Sequence, residues 1–174
     1  GSYPGKLTDF IDRCARNELF IELCPVTEDQ QTRHERFELL LRFFAYANFY
    51  QKFDHAVKSF LDNYLISNQN SFDEARYSAE FDAMLHFVKQ NFPSGFAKTK
   101  TSTITPRVRF EAISVGVILA LRQNPDLRVD NVQWLDSDTF KELTTSDASN
   151  NQGKLKARVE YVRDQLLKDA ITDE

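Results

Sequence analysis

The chain predicts an all-α fold, an irregular bundle of six to seven helices with two hydrophobic central helices. Three observations predict it. Apolar residues recur at helical spacing along most of the 174 residues. Two runs, Leu39–Tyr50 and Ala112–Leu121, are apolar nearly all round. No second strand-like segment exists to pair with the β-branched content of the latter. The five Gly and five Pro act as punctuation, and rule out collagen-like, linker-rich and mostly disordered chains. Fifteen Phe and an aromatic share of 13% require a core built largely from rings.

Taken in order, Leu7, Phe10, Ile11 and Cys14 share one helical face, giving a first helix from about residue 6 to 16 or beyond. Pro25 ends that region, and residues 28–31 form a polar link. A long helix then runs from about Thr32 to Tyr50; within Leu39–Tyr50 only Arg42 and Asn48 are not apolar, so it should be central. Asp54 can cap the next helix, whose stripe is Val57, Phe60, Leu61, Tyr64 and Leu65. Ser71 with Glu74 has capping-box spacing, and Tyr77, Phe81, Met84, Leu85, Val88 and Phe92 form the stripe that follows until Pro93-Ser94-Gly95 stops it. Thr105-Pro106 has the pattern of an N-cap with proline in the first turn, opening the helix through Leu121. A short helix is expected near Asp138–Leu143. The last, from about Gln152 to Lys168, should bury Leu155, Val159, Val162 and Leu166. Residues 1–174 read as a single helical domain.

Much chemistry is absent from the sequence. No Gly-rich phosphate loop and no G-x-S-x-G elbow occur. His34, His55 and His86 form no H-x-x-x-H pair, and Cys14 and Cys24 fit neither a zinc site nor a disulfide framework, so no metal site, no cofactor and no catalytic residue is assigned. The two thiols read as reduced and buried in a cytoplasmic protein. The acids between Asp126 and Asp147 lack the Gly-centred calcium loop and read as a solvated face. No apolar run is long enough to cross a membrane. The formal net charge is −4, so attraction of a polyanion requires a local basic patch.

Two such patches exist. Lys98, Lys100, Arg107 and Arg109 lie in an acid-free, Thr/Ser-rich loop running into a helix N-terminus, a combination suited to phosphate contact. Lys154, Lys156 and Arg158 follow the Thr-Ser-Asn stretch 144–150 on the last helix. These seven residues are the candidates for DNA or phosphate contact, against the alternative of an ordinary solvated surface.

Three motifs together resemble a known family. They are Tyr3-Pro4-Gly5-x-Leu7-x-x-Phe10-Ile11, then Arg33-x-x-Arg36-x-Glu38-Leu39-Leu40-Leu41-Arg42-Phe43-Phe44-Ala45 followed by Phe60-Leu61, and finally Thr144 to Asn150 preceding Lys156-x-Arg158-Val159-Glu160-Tyr161-Val162-Arg163-Asp164. They are similar to the helical C-terminal portion of proteins carrying the GmrSD-type restriction-endonuclease N-terminal domain, a ParB-like and largely uncharacterised prokaryotic family. The resemblance implies a cytoplasmic fragment of a longer DNA-defence protein. It would be a non-catalytic binding or scaffolding module packed on a ParB-like NTPase half, with DNA, a nuclease partner or a second copy as further partners. Asp29-Gln30-Gln31-Thr32-Arg33 lacks the glycine of that half's own motif and reads as coincidence. A pure protein-interaction or dimerisation domain is the alternative. A stand-alone nucleotide or phosphodiester hydrolase has least in its favour, since no phosphate loop or metal-ligand set can be placed. Within the second motif Glu38 and Arg42 lie one turn apart and should pair, while Arg33 and Arg36, near a helix start where the dipole disfavours cations, should find a carboxylate or phosphate.

Overall fold

The computed structural model describes residues 3–145 and 151–172. These form eight α-helices: α1 (Lys6–Ala15), α2 (Glu18–Leu23), α3 (Thr32–Phe49), α4 (Val57–Asn68), α5 (Glu74–Asn91), α6 (Arg107–Gln123), α7 (Asp138–Leu143) and α8 (Gln152–Lys168). Two 3₁₀ turns, Tyr50–Lys52 and Gln133–Asp136, complete the order. Among the described residues the only extended pairing is an isolated bridge between Val129 and Ala170.

The bundle has one helix more than the upper expectation because the first apolar stretch divides. Asn17 takes an extended conformation, and its side-chain oxygen accepts a hydrogen bond from the Phe20 amide at 2.9 Å, which starts α2 afresh. Three expected caps also differ. Asp54 lies outside α4, whose cap position is Ala56, with no side-chain bond. Asp73 rather than Ser71 caps α5, accepting from the Arg76 amide at 3.1 Å. At the start of α6 the cap position is Pro106, while Thr105 turns its hydroxyl to the Pro25 carbonyl at 2.8 Å and ties the α6 entry to the end of α2.

The central helices are α3 and α6. Every residue of α3 from Leu39 to Ala47 is buried, and so is every residue of α6 from Arg109 to Ile118. Neither helix has a wet side over that length, so each is held by neighbours all round: α1, α4 and α6 around α3, and α3, α5 and α8 around α6. Rings fill the seams. Phe44 of α3 stacks on Tyr77 of α5 with centroids 5.2 Å apart, and Phe10 of α1 meets Phe44 edge-on at 5.5 Å. Such pairs add about 0.5–1.5 kcal/mol each beyond the apolar area they bury.

Helices α6 and α8 share the most extensive interface, and a glycine permits it. A β-carbon at Gly116 would come within 2.9 Å of the Val159 carbonyl oxygen and overlap the Val162 side chain. With hydrogen there instead, α8 lies close enough to bury Leu155, Val159, Val162 and Leu166, the stripe its sequence predicts. Arg158 goes in with them.

Candidate functional site

The seven predicted contact residues divide by burial. Lys98, Lys100, Lys154 and Lys156 are exposed, and none has a carboxylate within ion-pair distance among the described residues. Arg107 is exposed but engaged, its guanidinium meeting Glu35 of α3 through two contacts of 3.0 and 2.6 Å. Arg109 and Arg158 are interior residues, 8% and 1% exposed. Neither can therefore lie on an outer surface that meets a DNA backbone. The stretch 146–150 between the two basic regions lies outside the described residues, so of that motif only Thr144 and Thr145 are placed. Thr144 is buried and donates its hydroxyl to the Phe140 carbonyl at 2.7 Å.

The second family-like motif and the third converge on one acid. Glu111 of α6, 3% exposed, meets Arg158 of α8 at 3.3 Å and Arg42 of α3 at 3.5 Å. Arg42 in turn meets Glu38 at 3.1 Å, the pairing their spacing predicts. Two arginines and two glutamates thus tie the two central helices to α8 with no net charge. Burial pushes the Glu111 carboxyl up while both guanidiniums pull against it, and the same burial draws Arg158 down against the pull of Glu111. Arg158 also donates through Nε to the Leu143 carbonyl at 3.3 Å, whereas its Nη2 is buried with no acceptor. The remaining motif arginines find carboxylates: Arg33 meets Asp12 at 2.8 Å and Arg36 meets Glu28 at 3.1 Å.

Arg109 is held differently. Its Nε donates to the Phe96 carbonyl at 3.0 Å, and its guanidinium carbon lies 5.4 Å from the centre of the Phe140 ring. No carboxylate of the described residues is within ion-pair distance. Burial weakens its hold on its proton, and Asp136 opposes that effect from further away. Arg109 reaches the wall of a cavity of about 370 Å³ below the turn 93–95, together with Lys98, Asp130, Asn131, Gln133 and Asp136. The turn itself depends on Gly95, whose φ of +60° is a left-handed conformation that glycine adopts freely, and a β-carbon there would strike the Leu23 carbonyl. A second cleft at the same turn is lined by Lys100 and by the paired Lys89 and Glu22.

Other predicted chemistry sits where it is inert. His34, His55 and His86 are exposed and apart, and among the described residues no three His, Cys, Asp or Glu side chains are grouped to hold a metal. Asp126, Asp130, Asp136, Asp138 and Glu142 are all exposed, and Asp147 lies outside the described residues. Cys14 and Cys24 are unpaired and buried, and desolvation pushes both thiols up to about 12. No described helix is long and apolar enough to cross a membrane.

The residue that reading the sequence missed is Glu111. The signal was present: it is the one acid inside the run from Phe110 to Leu121, and a carboxylate kept on a helix buried all round requires a cation. Compared with protein-family models, curated proteins and solved structures, the chain matches none. What fold and site define together is an all-α domain with a buried ionic centre and a polar cavity lined by Arg109 and Lys98 together with Asp130 and Asp136.

Proposed function

We propose that this domain is a non-catalytic binding and scaffolding module of a prokaryotic DNA-defence protein, packing on a ParB-like NTPase half and contacting duplex DNA through exposed lysines. One observation supports it above others: Lys98, Lys100, Lys154 and Lys156 are exposed and carboxylate-free on a chain whose overall charge is −4. Most other cations of the surface are spent on acids, as Arg107 is on Glu35 and Lys58 on Asp62. Lysines left unpaired in an acidic protein suit phosphates, which they contact without reading sequence. Titration of duplex DNA at low and moderate salt tests this. Binding should weaken steeply with salt, and charge reversal at Lys154 and Lys156 should remove most of it. Affinity indifferent to both would sink the DNA clause.

A protein-interaction or dimerisation domain is the second reading, and a particular patch favours it. Ile21 and Ile104 are exposed at 37% and 56%, on two clefts that share Val26 and Thr27. Sedimentation of the wild type beside Ile104→Asp separates the two: a dimer lost in the variant supports this reading over DNA contact.

A further inference from the structure

A buried guanidinium ordinarily has a carboxylate beside it, because an uncompensated charge inside a protein is costly. Arg42 and Arg158 obey this through Glu38 and Glu111. Arg109 does not, although it is as deeply set as Arg42. Its Nε edge is fixed on the Phe96 carbonyl and one face is held against Phe140, so the group is pinned in orientation. Its two terminal nitrogens donate to no described residue, yet neither is sealed off, and the residue lines the 370 Å³ cavity. A planar fork of free N–H donors, immobilised before any ligand arrives, is the arrangement that grips an oxyanion through two parallel bonds.

The walls narrow the ligand further. Lys98 adds a second cation to a lining that also holds Asp130 and Asp136, so the cavity as a whole is formally neutral and its basic part is the share that Arg109 and Lys98 supply. Asp130 and Asp136 line the same space and would repel additional phosphates while accepting hydrogen bonds from hydroxyl or amino groups. Asn131 and Gln133 add carboxamides that can serve either way. The volume lies near the small end of the range for ligand pockets, about 300–1,000 Å³, enough for a small phosphorylated molecule.

We propose that the cavity beneath the 93–95 turn is a binding site for a small phosphomonoester, of sugar-phosphate to mononucleotide size, whose phosphate is clamped by Arg109 and Lys98. The site does not include the lysines on α8, but it shares Lys98 with the surface assigned above to duplex DNA, so Arg109 and Asp136 are the positions that report on it alone.

Isothermal titration of the full chain with ribose 5-phosphate and with adenosine 5′-monophosphate tests it, with ribose and adenosine as controls. The phosphorylated compounds should bind saturably and the controls should not. Arg109→Met should weaken binding by about 100-fold, the loss of two charge-assisted bonds. Lys98→Glu should weaken it by about tenfold or more, and Asp136→Asn should tighten it several-fold by removing a repulsion. The last two positions are exposed, so they decide the matter even if Arg109→Met fails to fold. Absence of saturable binding, or affinity unmoved by both Lys98→Glu and Asp136→Asn, overturns the proposal. A 5′-phosphorylated oligonucleotide that outcompetes its 5′-hydroxyl twin at this site would show the phosphate to come from a nucleic-acid end, overturning the small-molecule assignment. Lys154→Glu with Lys156→Glu should remove most duplex binding and leave ribose 5-phosphate untouched, so the two proposals can fail separately.

Discussion

Arg158 and Arg109 are both more than nine-tenths buried, yet the protein surrounds them in opposite ways. Arg158 lies in a closed centre, facing Glu111 at 3.3 Å, with Arg42 and Glu38 completing a neutral set across α3, α6 and α8. Arg109 has a carbonyl and a ring for company, no carboxylate in ion-pair distance, and a cavity in front of it. The first arrangement balances charge internally, although Nη2 of Arg158 is left without an acceptor. The second leaves a cation incompletely compensated beside an opening, a condition that binding sites tolerate and pure scaffolding avoids. Charged residues in a core thus separate into those the fold uses for itself and those it holds for something else.

The comparison predicts unequal costs of substitution. Glu111→Gln should produce the largest effect, because it leaves the buried Arg158 guanidinium without a carboxylate and takes one of two from Arg42 while keeping shape. A loss of about 3–5 kcal/mol in unfolding free energy is expected, measured by urea denaturation. Replacing Arg42, Glu111 and Arg158 together by Met, Leu and Met should recover most of that loss. If Glu111→Gln alone cost no more than an average surface change, the closed centre would not be the ionic unit its distances describe.

Gly116→Ala comes next. The added methyl would press on the Val159 carbonyl and the Val162 side chain, forcing α8 outward from α6. An overpacking cost of about 1–3 kcal/mol is expected. Arg158 rides on α8, so the same change should open its enclosure and raise amide exchange at residues 155–162 more than in α1. Uniform exchange across both helices would mean that the α6–α8 approach does not govern the closed centre.

Arg109→Met should differ in kind from Glu111→Gln. It removes a poorly compensated charge and one bond to the Phe96 carbonyl, two effects of opposite sign. Stability should stay within about 1 kcal/mol of wild type or rise, while phosphomonoester binding weakens by about 100-fold. A loss of several kcal/mol would place Arg109 with Arg158 as a structural residue and erase the contrast.

Which half of this contrast was legible depends on what sequence pattern reports. Helices α3 and α6 were plain because burial on every side demands apolar composition, and the stripes of α5 and α8 because one-sided burial repeats at 3.6 residues. The break between α1 and α2 was hidden, since Arg16-Asn17 carries neither glycine nor proline and only the Asn17 cap marks it. The site was harder, because lysine and arginine count alike in a charge pattern whichever way they face. Lys156 and Arg158 sit two residues apart, roughly 200° around a helix. One is wet and the other nearly sealed. Spacing does tell them apart: Arg158 is three residues from Leu155 and four from Val162, on the buried stripe. For Arg109 no comparable signal exists, because the Phe96 carbonyl and the Phe140 ring that hold it come from distant parts of the chain.

The smallest expected effect comes from a pair that is compensated but exposed, Arg33 with Asp12, and it completes the comparison by separating burial from pairing. The two side chains meet at 2.8 Å, as closely as any pair in the core, yet Arg33 stands in solvent. Water and ions screen such a pair, so Arg33→Ala should leave stability at neutral pH almost unchanged, far below the loss in Glu111→Gln. The pair should still be visible in its pH dependence. The hydrogen bond from Arg33, which is the main cause, holds the Asp12 carboxyl below its ordinary value. A carboxyl depressed on folding stabilises the folded state above its unfolded pKa of about 3.9, and that contribution fades as pH falls through the lower folded value. The difference between wild type and Arg33→Ala should therefore be small and flat from about pH 5 to 8 and shrink toward zero below about pH 4. Thermal unfolding of both proteins across that range measures it. A difference that instead grew in acid would require Asp12 to be protonated more readily in the folded protein, against the sign its bond to Arg33 dictates.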